Sequence, residues 1–283
     1  MAKRFSIVEI QTRLQRTLAS GSIILGGGAG NGLSAKCAEL GGIDLIFVYN
    51  SGKFRMDGLP SICGLLPFGN ANDTVLELGE KSVLPAVDKT PVIAGICGTD
   101  PTWDMQRLLD KVAALGFSGV INYPTVSRFD GSIRRDFESV GLGFDSEVKM
   151  IKTARESNLF TTCYVRTVEE AEMMSEAGVD VLIPHVGLTS GGTIGATAAM
   201  TLNDAALETE KMIQAARAKN PDIIALAHGG PMESPSNVDY VLRRTTAQGF
   251  VGASSIERLP LERAITETVR DFKKVKLHQS VTR

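Results

Sequence analysis

The sequence has few of the features that mark secreted, membrane-spanning or disulfide-stabilised proteins. No apolar run approaches the roughly 20 residues that cross a bilayer, and the first residues lack the apolar core of a signal peptide. The four cysteines show no C-x-x-C spacing, which argues against a zinc or disulfide framework. We therefore expect a cytoplasmic protein with reduced thiols and no membrane partner. The cysteines are Cys37, Cys63, Cys97 and Cys163.

An excess of charge of either sign is also missing. The chain has 30 basic and 32 acidic residues, which are scattered and leave a formal net charge of −2. Because no basic stripe is present, we expect no nucleic-acid partner. No linker, low-complexity tract or charge block divides the chain, so we predict a single domain over residues 1–283.

What the sequence does contain is a repeating pattern. A short apolar run, a polar or glycine-bearing loop and an amphipathic helical stretch recur about eight times. Continuous apolar strands separated by helices are typical of parallel strands buried on both faces. Eight such units predict an α/β fold, the (β/α)8 TIM barrel. The runs are Ser22–Gly26, Leu45–Tyr49, Val92–Ile96, Gly119–Tyr123, Thr161–Val165, Val181–Pro184, Ile223–Ala227 and Phe250–Ala253.

An extra helix is predicted before the first strand. Ser6 and Glu9 have the spacing of a capping box, and the apolar residues that follow fall on one helical face. We expect this N-terminal helix to cover the N-terminal mouth of the barrel, and the polar tail Lys273–Arg283 to fray. The apolar residues of the helix are Ile7, Ile10, Leu14 and Leu18.

Turn residues predict where later helices begin and which connections are long. Asp100-Pro101 suggests a helix with Asp as its N-cap and Pro in its first turn. Thr167 and Pro260 are predicted to begin helices after the fifth and eighth strands. Two long connections, Asn50–Leu84 and Gly187–Thr201, are disordered inserts or functional lids. We favour lids, because both connections fall at the end of the barrel where active sites lie.

We expect the active site to lie in the loops that follow the C-terminal ends of the strands. Strand one leads into the glycine-rich stretch Gly26–Gly32, where Gly28 could let the backbone approach an anion. A tight strand-to-helix turn explains the same glycines equally well. After strand two, Arg55 can grip a carboxylate or phosphate with two parallel hydrogen bonds, beside Asn50 and Ser51. The alternative is an exposed turn with solvated cations.

Polar residues also follow the third and fourth strands. Asp100 could bind a divalent cation or act as a base, although a helix cap explains it equally well. Cys97 is interpreted as a buried core thiol. Asn122 can orient a carbonyl or enolate oxygen, and its alternative is a capped turn.

Two of the three histidines in the chain, His185 and His228, end strands six and seven. Histidine is the commonest general acid or base near neutral pH, so this matched placement favours a catalytic role for at least one of them. A lone histidine is more often a satisfied core residue.

The loops after strands seven and eight commonly hold phosphate in (β/α)8 barrels. Gly229 and Gly230 supply flexible N–H donors in the first of these loops, and Ser254 and Ser255 supply hydroxyls in the second. We therefore predict that they bind a phosphorylated or carboxylated ligand. Glu257 could be a metal ligand, a base or the ion-pair partner of a nearby arginine, Arg258 or Arg55.

Four stretches of the chain stand out together: Tyr49–Met56, Gly64–Asn72, Gly191–Ala196 and Ser255–Pro260. They resemble the phosphoenolpyruvate hydrolase-like TIM-barrel family, whose bacterial members have been described as phosphonopyruvate hydrolases. The resemblance covers nearly the whole chain and implies membership of the phosphoenolpyruvate/pyruvate barrel group. It also implies homo-oligomers and a small phosphorylated or 2-oxo-acid ligand.

The residues and the resemblance together predict a hydrolase or lyase. Its substrate would be a small anionic acid such as phosphonopyruvate or phosphoenolpyruvate, cleaved at a C–P or C–C bond. Mg2+ or another divalent cation would bind at Asp100 and Glu257. The alternative is a non-catalytic barrel that binds a small anion and regulates, because the Glu-Asp-Lys signature and the paired aspartates of magnesium-dependent barrels are missing. The predicted catalytic residues are His228, Glu257, His185, Asn122 and Asp100.

Overall fold

The computed structural model describes residues 4–197 and 200–277, so residues 278–283 of the polar tail lie outside the described part. Nine strand segments form one sheet in the order β7-β6-β5-β4-β3-β2-β1-β9-β8, and every pairing is parallel. The segments are β1 Ile24–Gly28, β2 Leu45–Val48, β3 Val92–Ile96, β4 Gly119–Asn122, β5 Phe160–Val165, β6 Val181–Pro184, β7 Ile224–Ala225, β8 Ala227–His228 and β9 Gly249–Gly252.

The sheet closes through its seventh strand, which β7 and β8 form in two halves separated by Leu226. β7 pairs with β6, and β8 pairs with β9. Between them the Leu226 N–H donates to the Leu182 carbonyl at 2.9 Å, and the Gln248 N–H donates to the Ala225 carbonyl at 2.8 Å. One strand thus bridges the two ends of the sheet, and the predicted TIM barrel is confirmed.

Eleven α-helices surround or close this sheet in the described part of the chain, together with short 3-10 and π turns. They are α1 Ile7–Ala19, α2 Gly32–Leu40, α3 Asn50–Met56, α4 Ala71–Leu78, α5 Met105–Leu115, α6 Gly131–Ser139, α7 Phe144–Glu156, α8 Val168–Glu176, α9 Leu202–Lys219, α10 Pro235–Leu242 and α11 Arg258–Lys273.

The N-terminal helix α1 begins as predicted. The Ser6 N–H donates to the Glu9 carboxylate at 2.8 Å, and the Glu9 N–H donates to the Ser6 hydroxyl at 3.3 Å. This reciprocal pair satisfies two N–H groups that a helix start leaves without partners. Ile10 and Leu14 are buried against the apolar interior of the barrel.

Polar residues of α1 reach the segments that enter the strands. Thr17 donates to Asp44, just before β2, at 2.7 Å. Gln11 donates to Asp180, just before β6, at 3.0 Å. The helix therefore covers the N-terminal mouth of the barrel and leaves the other mouth for chemistry.

The barrel interior alternates glycine with large aromatic rings. A Cβ on Gly26 would lie 2.7 Å from the Phe47 ring, and one on Gly95 would lie 3.0 Å from the Tyr49 ring. The first contact is too close for a side chain and the second could form only if the ring shifted, so glycine makes room for these rings. We expected the glycine-rich stretch to follow strand one, but β1 continues to Gly28.

Two predicted helix starts were wrong. The helix after β3 begins at Met105 with Asp104 as its N-cap. Asp100 instead accepts from the Thr102 N–H at 2.9 Å, which forms a local turn before the helix. The last helix begins two residues before Pro260, at Arg258.

The connection Asn50–Leu84 is largely helical, since α3 and α4 lie within it. Tyr49 precedes α3 without a side-chain cap. The ordinary signal of a helix start is therefore missing from the sequence here.

Replacement of Leu14 by Ala tests the role of α1. The side chain is 1% exposed, so we expect the free energy of unfolding in urea to fall by about 2–5 kcal/mol. Val8→Ala on the exposed side of the same helix is the matched control, with an expected change below about 0.5 kcal/mol. Equal effects of the two substitutions would show that α1 does not seal the barrel.

Candidate active site

A small cavity lies at the C-terminal mouth of the barrel. Five of the predicted site residues line it: Ser51, Arg55, His185, His228 and Ser254. The others lie outside its lining. The remaining lining residues are Tyr49, Ser61, Tyr123, Tyr164, Gly187, Leu188, Thr189 and Ala253.

Three of the chain's four tyrosines form one side of the cavity. The hydroxyls of Tyr49 and Tyr164 lie 2.7 Å apart, and the Tyr123 ring packs edge-on against both rings. Burial raises the pKa of all three phenols, so they are neutral near pH 7. Sequence reasoning missed them, although each ends a predicted strand or lies one residue from its end.

Arg55 and Glu257 form a buried ion pair beside the cavity. The Arg55 Nε donates to Glu257 Oε2 at 3.1 Å, and both side chains are 1% exposed. Arg55 Nη1 donates to the Ser51 hydroxyl at 3.0 Å, whereas Nη2 has no partner among the described residues. A buried guanidinium with an unused donor favours an acceptor atom close by.

The second oxygen of Glu257 holds the glycine-rich stretch. It accepts from the Gly30 N–H and from the Ser34 hydroxyl, the latter at 2.7 Å. The glycine-rich stretch therefore does bind an anion, and that anion is the carboxylate of Glu257. Of the roles considered for Glu257, the structure shows the ion pair with Arg55. Gly28 lies against this pair, because a Cβ there would lie 2.9 Å from Arg55 Nη2.

The two histidines face each other with ring centroids 4.6 Å apart and planes at 77°. His228 Nδ1 lies 2.7 Å from the Val251 carbonyl oxygen. His185 Nδ1 lies 3.2 Å from the Gly187 nitrogen and 3.3 Å from Arg128 Nη1. Burial lowers the pKa of His228 to about 4. Burial, with the nearby His228 ring and Arg128, also lowers the pKa of His185 well below its ordinary value, so both rings are neutral at pH 7.

Asn122 is fully buried and uses its whole amide within the barrel wall. Its Nδ2 donates to Glu147 at 2.6 Å, and its Oδ1 accepts from the Tyr164 N–H at 2.7 Å. Glu147, which comes from α7 and which the sequence did not suggest, also accepts from Thr125 and from the Val126 N–H. These contacts hold the end of β4 against β5 and place Asn122 behind the tyrosines.

Asp100 lies outside the cavity lining, with its own set of donors. It accepts from Asn70 at 2.9 Å and from Asn72 at 3.0 Å. Burial alone would raise its pKa, but the hydrogen bonds from Thr102, Asn70 and Asn72 lower it. In residues 4–197 and 200–277, no three His, Cys, Asp or Glu side chains group as metal ligands. Hydrogen bonds from protein groups already occupy both oxygens of Asp100 and both oxygens of Glu257, so this pair does not fit the divalent cation that we predicted there.

The remaining predicted residues do not line the cavity, and Ser255 lines an apolar groove outside it. Asn50 donates to the Gly64 carbonyl at 2.9 Å, and the Gly230 N–H donates to the Gly187 carbonyl at 2.9 Å. Gly229 and Gly230 have positive φ, a conformation that glycine adopts without strain. The Ser255 hydroxyl is buried with no partner in the described part of the chain.

The connection after β6 lies over the cavity, since Leu188 and Thr189 belong to the lining. Its next turn is attached to the start of α11. Arg258 donates to the Gly191 carbonyl at 3.0 Å, and the Thr193 hydroxyl donates to Glu262 at 2.7 Å.

The fold and this cavity define a TIM barrel with a small polar site at the C-terminal ends of its strands. The family model described as phosphoenolpyruvate hydrolase-like matches residues 9–275. The chain belongs to that family, as the four sequence stretches predicted.

Two relatives come from Solanum lycopersicum. The chain is 46% identical over 278 residues to the ToMV susceptible protein tm-1(GCR26), and the match covers 98% of this chain and 36% of that protein. It is also 46% identical over 269 residues to the ToMV resistance protein Tm-1(GCR237), and this match covers 95% of the chain and 36% of that protein. The chain thus spans about a third of the length of these relatives.

Two solved structures share the fold. A phosphonopyruvate hydrolase complex with oxalate and Mg2+ has a TM-score of 0.59 at 16% identity, with 94% of this chain and 86% of that chain covered. Oxaloacetate acetylhydrolase has a TM-score of 0.60 at 16% identity, with 95% of this chain and 90% of that chain covered.

Within the described residues, no helix is both long and apolar enough to span a bilayer.

Glu147 gives this site a measurable pH dependence. Burial outweighs its three hydrogen bonds and raises the carboxyl pKa from 4.5 to about 7. The folded state therefore holds this proton more tightly, and its contribution to stability is full below about pH 4.5 and declines up to about pH 7. The shift corresponds to about 3 kcal/mol.

The measurement compares urea unfolding of the wild type and Glu147→Gln from pH 5 to pH 8. Relative to the variant, which cannot titrate, the wild type should lose stability as the pH rises. A difference that is constant or grows with pH would contradict the raised pKa.

Proposed function

We propose that the protein is an enzyme of the hydrolase or lyase type that acts on a small carboxylate or phosphorylated acid, with His228 as the general base. The observation that carries this proposal is the lining of the cavity. Two neutral histidines, three tyrosines, three serines and the Arg55 guanidinium meet there. In the described residues no Asp or Glu belongs to this lining, so it favours an anion.

His228 can receive a proton because its ring is neutral at pH 7. The proton comes from a hydroxyl group of the substrate or from a bound water. Tyrosine hydroxyls that remain neutral can donate to the oxygen where negative charge develops, and such preorganised donors are usually the largest contribution to catalysis. Arg55 and Ser51 hold the acid group of the substrate in this proposal.

The family and fold support this class of reaction. The family is described as phosphoenolpyruvate hydrolase-like, and one solved structure of the same fold is a phosphonopyruvate hydrolase with oxalate and Mg2+. Phosphonopyruvate and oxaloacetate are therefore the first substrates to test. No step in our proposal passes through a cation, because the described donor set does not fit one. We further infer a cytoplasmic protein from its four free cysteines.

A regulatory barrel that binds a small anion without turnover is the second candidate. Two observations favour it. The charge of Arg55 is already balanced by Glu257, and the tomato relatives are named for susceptibility and resistance to a virus. This candidate predicts saturable stabilisation by an anion without product formation.

His228→Asn separates the two candidates. The Asn Nδ2 can still donate to the Val251 carbonyl, as His228 Nδ1 does, but no basic nitrogen remains where Nε2 was. We expect the turnover number for phosphonopyruvate or oxaloacetate to fall about 100- to 10,000-fold. The rise in melting temperature caused by oxalate should persist.

Both assays are run with EDTA and with added Mg2+. A wild type that binds oxalate and turns over neither acid would favour the regulatory barrel. Activity that requires Mg2+ would contradict a mechanism without a cation.

We also propose that the protein forms a homo-oligomer through α11. Only Arg258 and Leu259 of this 16-residue helix are buried. Its exposed apolar residues recur at helical spacing and form a stripe. Beside it an apolar groove, which includes Leu25 and Ile256, runs over the outer sides of β1 and β9 between α2 and α10. A second copy of α11 fits this groove. The stripe is Leu261, Ile265, Val269 and Phe272.

Charge on the stripe should dissociate the oligomer. Ile265→Glu is compared with Thr266→Glu, which adds the same charge one position further along the helix. Light scattering should give the mass of one 30.2 kDa chain for the first variant and a multiple of it for the wild type and the second. A wild type that is monomeric at high concentration would refute the proposed assembly.

A further inference from the structure

The two cavity histidines differ in what surrounds their Nδ1 atoms. His228 Nδ1 meets the Val251 carbonyl at 2.7 Å. A carbonyl oxygen only accepts, so Nδ1 must carry the hydrogen. In the neutral ring the lone pair then lies on Nε2, which makes His228 Nε2 an acceptor.

His185 has the opposite surroundings. Its Nδ1 meets the Gly187 N–H at 3.2 Å and Arg128 Nη1 at 3.3 Å. A peptide N–H and a guanidinium only donate, so Nδ1 must accept and the hydrogen lies on Nε2. If His185 were protonated, its Nδ1–H would face the Gly187 N–H and the Arg128 guanidinium, which are also donors. This arrangement therefore keeps the ring neutral. His185 Nε2 is a donor.

We infer that His185 and His228 form a fixed donor–acceptor pair for one ligand oxygen, and that Arg128 is a positioning residue that sets the tautomer of His185 together with the Gly187 N–H. Both rings line the same cavity, and neither Nε2 has a hydrogen-bond partner in the described ranges 4–197 and 200–277. An oxygen that satisfies both atoms must accept one hydrogen bond and donate another. This inference rests on the proposed function and narrows its ligand to acids that carry a hydroxyl group, which include the hydrated form of a 2-oxo acid such as oxaloacetate.

The charges around the pair are consistent with this role. Arg55, Arg128 and Arg166 lie near enough to act on the histidine rings. The Arg128 guanidinium has no carboxylate partner among the described residues. It hydrogen-bonds to His185 Nδ1 instead. The cations favour a neutral His185, and the tyrosines beside the rings remain uncharged.

Nitrogen-15 NMR of the histidine rings tests the tautomers without a substrate. The chain has only three histidines, and His228→Asn assigns one of the two cavity rings by its loss. At pH 7 we expect His185 to carry hydrogen on Nε2 and His228 to carry it on Nδ1. The same tautomer in both rings, or a protonated ring, would overturn the inference.

Arg128→Met tests the positioning role. It should shift the Nδ1 signal of His185 more than that of His228, which Arg128 does not contact, and Arg128→Lys should restore part of the shift. Arg135→Met, an exposed arginine of α6, is the matched control and should have no effect. An unchanged His185 signal in Arg128→Met would remove Arg128 from the inference.

Ligand pairs test the recognition of a hydroxyl. Glycolate donates and accepts at its hydroxyl oxygen, methoxyacetate only accepts, and acetate lacks the oxygen. The wild type should bind glycolate about tenfold more tightly than either analogue, and Arg128→Met should reduce that preference. Equal binding of all three would refute the hydroxyl inference. The NMR result stands apart from turnover, so failure of the tautomers and failure of the proposed enzyme are distinguishable.

Discussion

The buried ion pair of Arg55 and Glu257 is the interaction on which the site depends. Removing either charge would leave the other buried without compensation, which typically costs about 3–5 kcal/mol. Glu257 also binds Gly30 and Ser34, and Arg55 binds Ser51. One pair thus connects the end of β1, the first turn of α2, helix α3 and the start of α11.

A second layer of constraint comes from buried polar groups and aromatic rings. Glu147 and Asn122 hold β4 and β5 together, and Tyr164 from β5 packs against both histidine rings at centroid distances of 5.2 and 4.7 Å. The rings are further fixed by Val251 and Gly187 through their Nδ1 atoms. The chemistry of the cavity is therefore set by main-chain groups as much as by side chains.

Most of the barrel could be predicted from the sequence, because strands buried on both faces leave continuous apolar runs. Closure could not be predicted in detail, since nothing in the sequence shows that the strand is interrupted at Leu226. Helix α3 was missed because Tyr49 offers no capping side chain. The helix start at Asp100 was wrong because an aspartate can stabilise a local turn as readily as a helix.

The part of the site that could be predicted is the set of residues placed in the cavity by their position at the end of a strand. His185 and His228 lie where strand ends place them, and both line the cavity. Glu147 was not predictable, because it reaches the strand ends from a helix. Whether Glu257 binds a metal or an arginine depends on contacts between distant parts of the chain, which spacing does not reveal. The roles of the predicted catalytic residues and the single-domain organisation remain predictions.

The attachment of the β6 connection to α11 has a mechanical consequence. The first turns of this helix carry Glu257, which holds Arg55, and also Arg258 and Glu262, which hold Gly191 and Thr193. A displacement of that helix end would therefore act both on the connection that lies over the cavity and on the guanidinium inside it. Entry of a ligand and its binding are coupled through the start of α11.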